Sequence, residues 1–109
     1  MSDNGIILVT TDNIPGRSIT KVMGMARGNT IRARHMGKDI MAGFKNMVGG
    51  EIADYTKMMA ESREQALDRL IEDAESLGAD AVIGIRFTTT SLMQGAAEFL
   101  VYGTAVKLD

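Results

Sequence analysis

The sequence has 109 residues, enough for one compact domain, and we treat residues 1–109 as a single domain. It carries twelve Lys and Arg against fourteen Asp and Glu, a net charge of −2, with one His and no Cys. These counts exclude a disulfide framework, a thiolate nucleophile or metal cage, and a metal site with two His from one chain. They also argue against a strongly basic nucleic-acid-binding protein.

Aromatic residues make up 5% of the chain and Met occurs nine times, so we expect a core of aliphatic and Met side chains. A small domain of this kind often extends its core across subunit contacts. The apolar run from Ile6 to Val9 is too short for a signal peptide, and no stretch is long enough to span a membrane. The sequence therefore predicts a cytoplasmic protein without a membrane partner.

The first half of the chain reads as short strands. Residues 6–11 form a β-branched run, and the turn-forming residues 12–16 follow it. Residues 19–27 alternate as a strand, which we expect to bury Met23 and Met25 on one face. Gly28 and Asn29 are a typical two-residue hairpin turn, so residues 30–34 are predicted to be the returning strand. A short helix over residues 40–48, capped by Asp39, completes this half.

The second half is dominated by one long amphipathic helix from Glu51 to Leu77, with Gly78 as a left-handed cap. Two apolar strands follow, over residues 81–90 and 97–108. This order predicts an α+β fold with an antiparallel sheet and one long helix packed across it. The helical face is predicted from apolar and small residues at intervals of three and four: Ile52, Tyr55, Met59, Ser62, Ala66, Leu70, Ala74 and Leu77.

Charge is divided unevenly along the chain. Residues 13–50 carry seven Lys and Arg against one Asp, whereas residues 51–109 carry five against eleven acidic residues. Complementary halves of this kind favour pairing within the chain or between copies. Arg27, Arg32 and Arg34 could instead contact phosphates, but few aromatic residues are available to stack bases, which argues against nucleic acid as a partner.

No pattern for catalysis emerges. Asp12, Ser18 and His35 supply the residue types of a triad without the spacing that would assemble one. Glu72 and Asp73 are adjacent on the long helix, where neighbouring side chains diverge. A lone His is a weak metal site, so His35 is predicted to be a surface or interface residue, and the chain is predicted not to be an enzyme.

Several motifs, taken in order, resemble the YbjQ-like family of small bacterial proteins over nearly the whole chain. The motifs are TTDNIPG (10–16), RGNT (27–30), IRAR (31–34), GKDIMA (37–42), NMVGGE (46–51), LGADAVIGIRF (77–87) and YGTAV (102–106). The resemblance implies a dodecin-like subunit that assembles into a ring-shaped homopentamer, with short strands joining neighbours.

The family is described as heavy-metal-binding and is otherwise uncharacterised. His35 stands where the family pattern usually has Asn, so the resemblance does not make it a ligand. A metal would need oxygen ligands such as Asp12, Asn13 and Glu51 around a ring axis, which favours harder ions.

Two functions stay open. The first is a non-enzymatic, self-assembling homopentamer whose partner is itself. The alternative is a metal-ion or small-ligand binding protein with sites at subunit junctions and a metal ion as cofactor. The candidate ligand or interface residues are Asp12, Asn13, Arg27, Asn29, Arg34, His35 and Glu51.

Overall fold

The computed structural model describes residues 5–33, 50–93 and 96–109. Within them lie four strands and one helix. The elements are β1 (Ile7–Leu8), β2 (Ile19–Ala33), α1 (Gly50–Ser76), β3 (Ala81–Met93) and β4 (Ala96–Leu108). The short helix predicted over residues 40–48, with its cap at Asp39, lies outside the described residues.

The four strands form one sheet in the order β1-β3-β4-β2. β4 pairs antiparallel with both β2 and β3, whereas β1 pairs parallel with β3. The α+β class and the helix packed across the sheet are confirmed. The prediction of a purely antiparallel sheet is wrong at β1, because the long excursion between β1 and β3 returns the chain in the same direction.

α1 begins and ends close to the predicted bounds. Its buried face is formed by Ser62, Ala66, Leu70 and Ala74, which have no exposed surface. Gly78 has a φ of +77°, and its N–H donates to the Glu75 carbonyl oxygen at 3.0 Å. The Ala79 N–H donates to the Ala74 carbonyl oxygen at 3.1 Å, which completes a Schellman motif. The predicted glycine cap is confirmed.

β2 is one continuous strand, so the hairpin predicted at Gly28 and Asn29 is wrong. Gly28 pairs with Val101 and Asn29 with Leu100, within a regular register that runs to Ala33. Gly28 is required for a different reason, its contact with α1, which is described below. The same residue pair therefore marks close packing and not a turn.

The predicted burial of Met25 is also wrong, because β2 contains a register shift between Val22 and Gly24. A bulge changes which residues face the core. Met23 packs against the core, whereas 62% of Met25 is exposed and Ala26 is fully buried.

The core has two parts, one on each face of the sheet. Between α1 and the sheet lie Ala26, Leu70, Val82, Ile85 and Val101. On the opposite face, Ala81, Val106 and Leu108 are covered by apolar residues that include Ile7 and Ile14 of the N-terminal segment. That segment covers one end of the face, so the other end, along β2, β4 and β3, carries exposed side chains.

Candidate functional site

A shallow groove of about 430 Å³ runs between α1 and the outer edge of β2. Arg27 and Asn29, two of the predicted site residues, lie in it together. The residues that line the groove are Arg27, Gly28, Asn29, Arg69, Glu72, Asp73 and Ser76. It is open to solvent and strongly polar, so its chemistry depends on which of these groups are already occupied.

Two side chains of α1 satisfy the outward-facing backbone of β2. The Arg27 N–H donates to Asp73 Oδ2 at 2.9 Å, and Arg69 Nη1 donates to the Asn29 carbonyl oxygen at 2.6 Å. A sheet edge offers unpaired donors and acceptors to other chains, and natural proteins cover such edges. At this point α1 therefore acts as the cover of the β2 edge.

Gly28 lets the two elements come this close. A Cβ at Gly28 would lie 2.9 Å from the Arg69 carbonyl carbon and still closer to the Ala66 carbonyl oxygen and the Leu70 nitrogen. These are backbone atoms, which cannot move aside without displacing the helix. The groove therefore lies where the backbones of β2 and α1 come into near contact at Gly28.

The opposite edge of the sheet, on β3, is paired only in its first half. The Val9 N–H donates to the Val82 carbonyl oxygen, and the N–H groups of Gly84 and Ile85 donate to the carbonyl oxygens of Thr11 and Val9. Beyond Ile85, no other strand of the described residues pairs with this side of β3.

The register fixes which residues face outward on this second half of β3. The Arg27 N–H points away from β4, so Arg27 and its register partner Tyr102 are not hydrogen-bonded to each other. The backbone N–H and C=O of Tyr102 therefore point toward β3, where Tyr102 is paired with Arg86. Alternation then turns the backbone N–H and C=O groups of Phe87, Thr89 and Ser91 outward. We call this row the β3 edge.

Phe87 adds an apolar side chain beside the β3 edge, and 48% of it is exposed. It points to the helix side of the sheet, since its partner there is the buried Val101. α1 packs mainly on β2 and β4, so it leaves Phe87 uncovered.

The remaining predicted site residues do not join the groove. Asp12 and Asn13 lie exposed in the loop after β1. The Asn13 carbonyl oxygen accepts a hydrogen bond from Thr11 Oγ1 at 2.7 Å. Asp12 lies beside Gly84 on β3, whereas Arg27 lies on β2, at the opposite edge of the sheet. Glu51 lies in the first turn of α1. The predicted residues Arg34 and His35 lie outside the described residues.

Asp80, in the loop after α1, forms a hydrogen bond and an ion pair with residues at the end of β4. Its Oδ2 accepts from the Leu108 N–H at 2.9 Å, and its Oδ1 lies 3.4 Å from Lys107 Nζ. The Leu108 hydrogen bond, assisted by the Lys107 charge, lowers the pKa of the Asp80 carboxyl below its ordinary value of 3.8.

The described ranges contain no group of three or more His, Cys, Asp or Glu placed to hold a metal ion. Nor does any helix among them have the length and apolar character needed to cross a membrane. The sequence analysis missed Arg69 as a groove residue and considered Asp73 only as a neighbour of Glu72. The signal that could have found them is their spacing of four, which places both on one face of the helix.

Comparisons with known proteins agree on a family. The family model described as "Putative heavy-metal-binding", YbjQ-like, matches residues 6–109. A UPF0145 protein of Methanosarcina acetivorans is 58% identical over 103 residues, covering 94% of this chain and 97% of the relative. One from Photobacterium profundum is 56% identical, covering 94% and 100%.

A solved structure supports the fold. A crystal structure of a protein of unknown function from Pediococcus pentosaceus, of the DUF74 family, aligns with a TM-score of 0.64 and 18% identity, covering 96% of this chain and 99% of that one. The expectation of a purely bacterial family is too narrow, since Methanosarcina is archaeal. With the match spanning residues 6–109 and these relatives at more than half identity, the chain belongs to the YbjQ-like UPF0145 family.

Proposed function

We propose that this chain is a non-enzymatic subunit that assembles with copies of itself through the β3 edge. The carrying observation is the pairing of β3, which β1 and the N-terminal segment cover only as far as Ile85. Phe87, Thr89 and Ser91 offer three outward N–H and three outward C=O groups to an added strand. Strand addition of this kind obtains affinity from the main chain and specificity from neighbouring side chains.

Phe87 supplies the apolar anchor for that contact. An exposed aromatic side chain next to unpaired backbone is typical of an interface centre, and aromatic residues are enriched among residues that dominate binding. The half-exposed ring lies on the helix side of the sheet, where α1 does not reach it.

The shape of the subunit supports assembly. Its extents are 55 × 22 × 20 Å and its radius of gyration is 17.1 Å, whereas a compact domain of about 100 residues has a radius near 13 Å. A rod of this size leaves much of its surface without a second layer.

A head-to-tail arrangement fits the proposal better than a two-fold one. Pairing β3 with β3 gives a dimer, whereas pairing β3 with a different surface of the next copy generates a ring when the rotation between copies closes. The excess of basic residues in 13–50 and of acidic residues in 51–109 favours unlike surfaces meeting. The family resemblance implies five copies, and an odd-numbered ring requires such a head-to-tail contact.

Native mass spectrometry of three variants tests this proposal. Thr89→Pro removes an outward N–H, which an edge strand tolerates, so we expect a folded monomer of 11.7 kDa. Thr88→Pro is the matched control, because its N–H faces β4 and its loss should unfold the sheet. Thr89→Ala keeps the N–H and should assemble as the natural chain does.

A second variant covers the case in which Thr89→Pro does not fold. Phe87→Asp places a charge on a side chain that is already half exposed, so the subunit should keep its circular dichroism spectrum and lose its partners. A natural chain that is monomeric at micromolar concentration would overturn the proposal. Thr89→Pro and Phe87→Asp assemblies of unchanged mass would overturn it as well.

A further inference from the structure

The open end of the sheet, on the face away from α1, carries a row of three side chains from three strands. Arg27 of β2 and Arg86 of β3 are both register partners of Tyr102 on β4. Directly paired residues of an antiparallel sheet share a face, with Cβ atoms about 5 Å apart. The order across the sheet is therefore Arg27, Tyr102, Arg86, which we call the Arg-Tyr-Arg row.

All three side chains are at the surface. Both Arg residues are exposed, and 37% of Tyr102 is exposed. The row borders the N-terminal segment, which covers the other end of this face and touches Arg86 through the Thr10 carbonyl oxygen. Among the residues that the structure describes, the row is therefore accessible to solvent.

The row is held on rigid backbone. The Arg27 N–H is fixed by Asp73, and the middle strand β4 is paired on both sides. Arg86 Nη1 donates to the carbonyl oxygens of Thr10 at 3.2 Å and Ile85 at 3.0 Å, which orients its guanidinium. Two acidic residues lie near the row: Glu98, which accepts a hydrogen bond from Asn29 Nδ2 at 3.1 Å, and Asp12, which lies beside Gly84 on β3.

The spacing of the row suits an anionic ligand with a flat ring. Adjacent strands lie about 4.8 Å apart, so the two Arg backbones are separated by about 10 Å with Tyr102 midway. Arg pairs with phosphate in a bidentate manner, and an aromatic ring stacks on a base of any sequence. Thr88, exposed next to Arg86 along the same face, offers a hydroxyl to a base edge.

We propose that the Arg-Tyr-Arg row binds nucleotides, with the base stacked on Tyr102 and phosphates bound by Arg27 and Arg86. The scarcity of aromatic residues argued against such a partner, but the fold places one of the two Tyr between two cations. The row lies on an open face and not in a cavity, so a single strand with repeated phosphates should bind more tightly than a free nucleotide. The proposal does not depend on assembly.

Fluorescence anisotropy with a labelled oligouridine, alongside competition by uridine monophosphate, tests the proposal on the full chain. Tyr102→Ala should weaken binding by about fivefold or more, because stacking on an aromatic ring is lost, whereas Tyr102→Phe should retain most of it. Arg27→Gln should weaken binding and reduce the slope of log affinity against log salt by about 1.

The matched control is Arg63→Gln, which makes the same charge change at an exposed position on α1. Binding that is unaffected by Arg63→Gln and weakened by Arg27→Gln supports the row. Competition by the mononucleotide at concentrations similar to the oligonucleotide would identify a free nucleotide as the ligand, and much weaker competition would identify a single strand. No binding of either probe at low salt, or equal loss in both Arg variants, would overturn the proposal.

Discussion

The two outer edges of the sheet are treated differently. On β2, the middle of the edge is covered by the chain's own helix, through Asp73 on Arg27 and Arg69 on Asn29. On β3, the N-terminal segment covers the edge only as far as Ile85, and Phe87, Thr89 and Ser91 face outward beyond it.

Under the proposed self-assembly, this difference would direct where association takes place. Uncovered edges are a general hazard because any strand can add to them. Charged side chains of α1 cap the β2 edge, whereas a defined stretch of the β3 edge stays open. A partner strand can therefore add at only one of these two places. Two changes would break or sharpen this contrast, and a third tests a contact away from both edges.

The largest effect should come from Gly28→Ala, which attacks the covered edge. The added Cβ would meet the backbone of Ala66, Arg69 and Leu70, so α1 must move away from β2. We expect a loss of about 3 kcal/mol in the free energy of unfolding, at the upper end of overpacking effects, measured by urea denaturation. The control Asn29→Ala, at the exposed neighbouring position, should cost clearly less, and equal losses would contradict the close-contact argument.

A smaller effect should come from Asp73→Ala, which uncaps the Arg27 N–H without crowding. We expect a loss of about 1 kcal/mol, typical of a single hydrogen bond. The exposed edge should also give species larger than those of the natural chain in light scattering. Asp73→Asn keeps an oxygen acceptor and is the control, so if it associates to the same extent as Asp73→Ala, the edge-cap interpretation is wrong.

The smallest effect concerns Asp80, which lies away from both edges. Its folded pKa is below the ordinary value of 3.8, so its contribution to stability is present above that pH and is lost as the pH falls through the folded pKa. Denaturation midpoints of the natural chain and Asp80→Asn should therefore differ at pH 7 and converge in acid. Asp68→Asn, which makes the same substitution at an exposed position on α1, is the control. Equal behaviour of the two variants would contradict the role given to Asp80.

The parts of the fold that follow from local pattern could be predicted from sequence. The helix and its Gly78 cap follow from residue spacing and from the backbone freedom of glycine. The β1 pairing could not be predicted, because parallel contacts join residues far apart in the chain. The exposure of Met25 depends on a bulge at Gly24, which has a φ of +132°. An isolated glycine within a strand is the local signal of a bulge, and the prediction of a regular alternation overlooked it.

The candidate site shows the same limit. Arg27 and Asn29 could be selected from a basic, turn-like stretch, but their actual partners, Asp73 and Arg69, are 46 and 40 residues away. Gly28 was interpreted through its conformational freedom, whereas its requirement is the absence of a side chain. Tyr102 can be identified as a candidate binding residue only from the register, which places it between Arg27 and Arg86.

The outward row on β3 has a consequence for selectivity. An interface made by main-chain hydrogen bonds depends on the path of the partner's backbone and discriminates little between partners with different side chains. If the proposed assembly forms through the β3 edge, two diverged versions of this chain in one cell would form mixed assemblies, unless a residue such as Phe87 distinguishes them. Relatives that must stay separate should therefore differ at Phe87, while Thr89 and Ser91 can change to any residue that keeps its backbone N–H, which excludes only Pro.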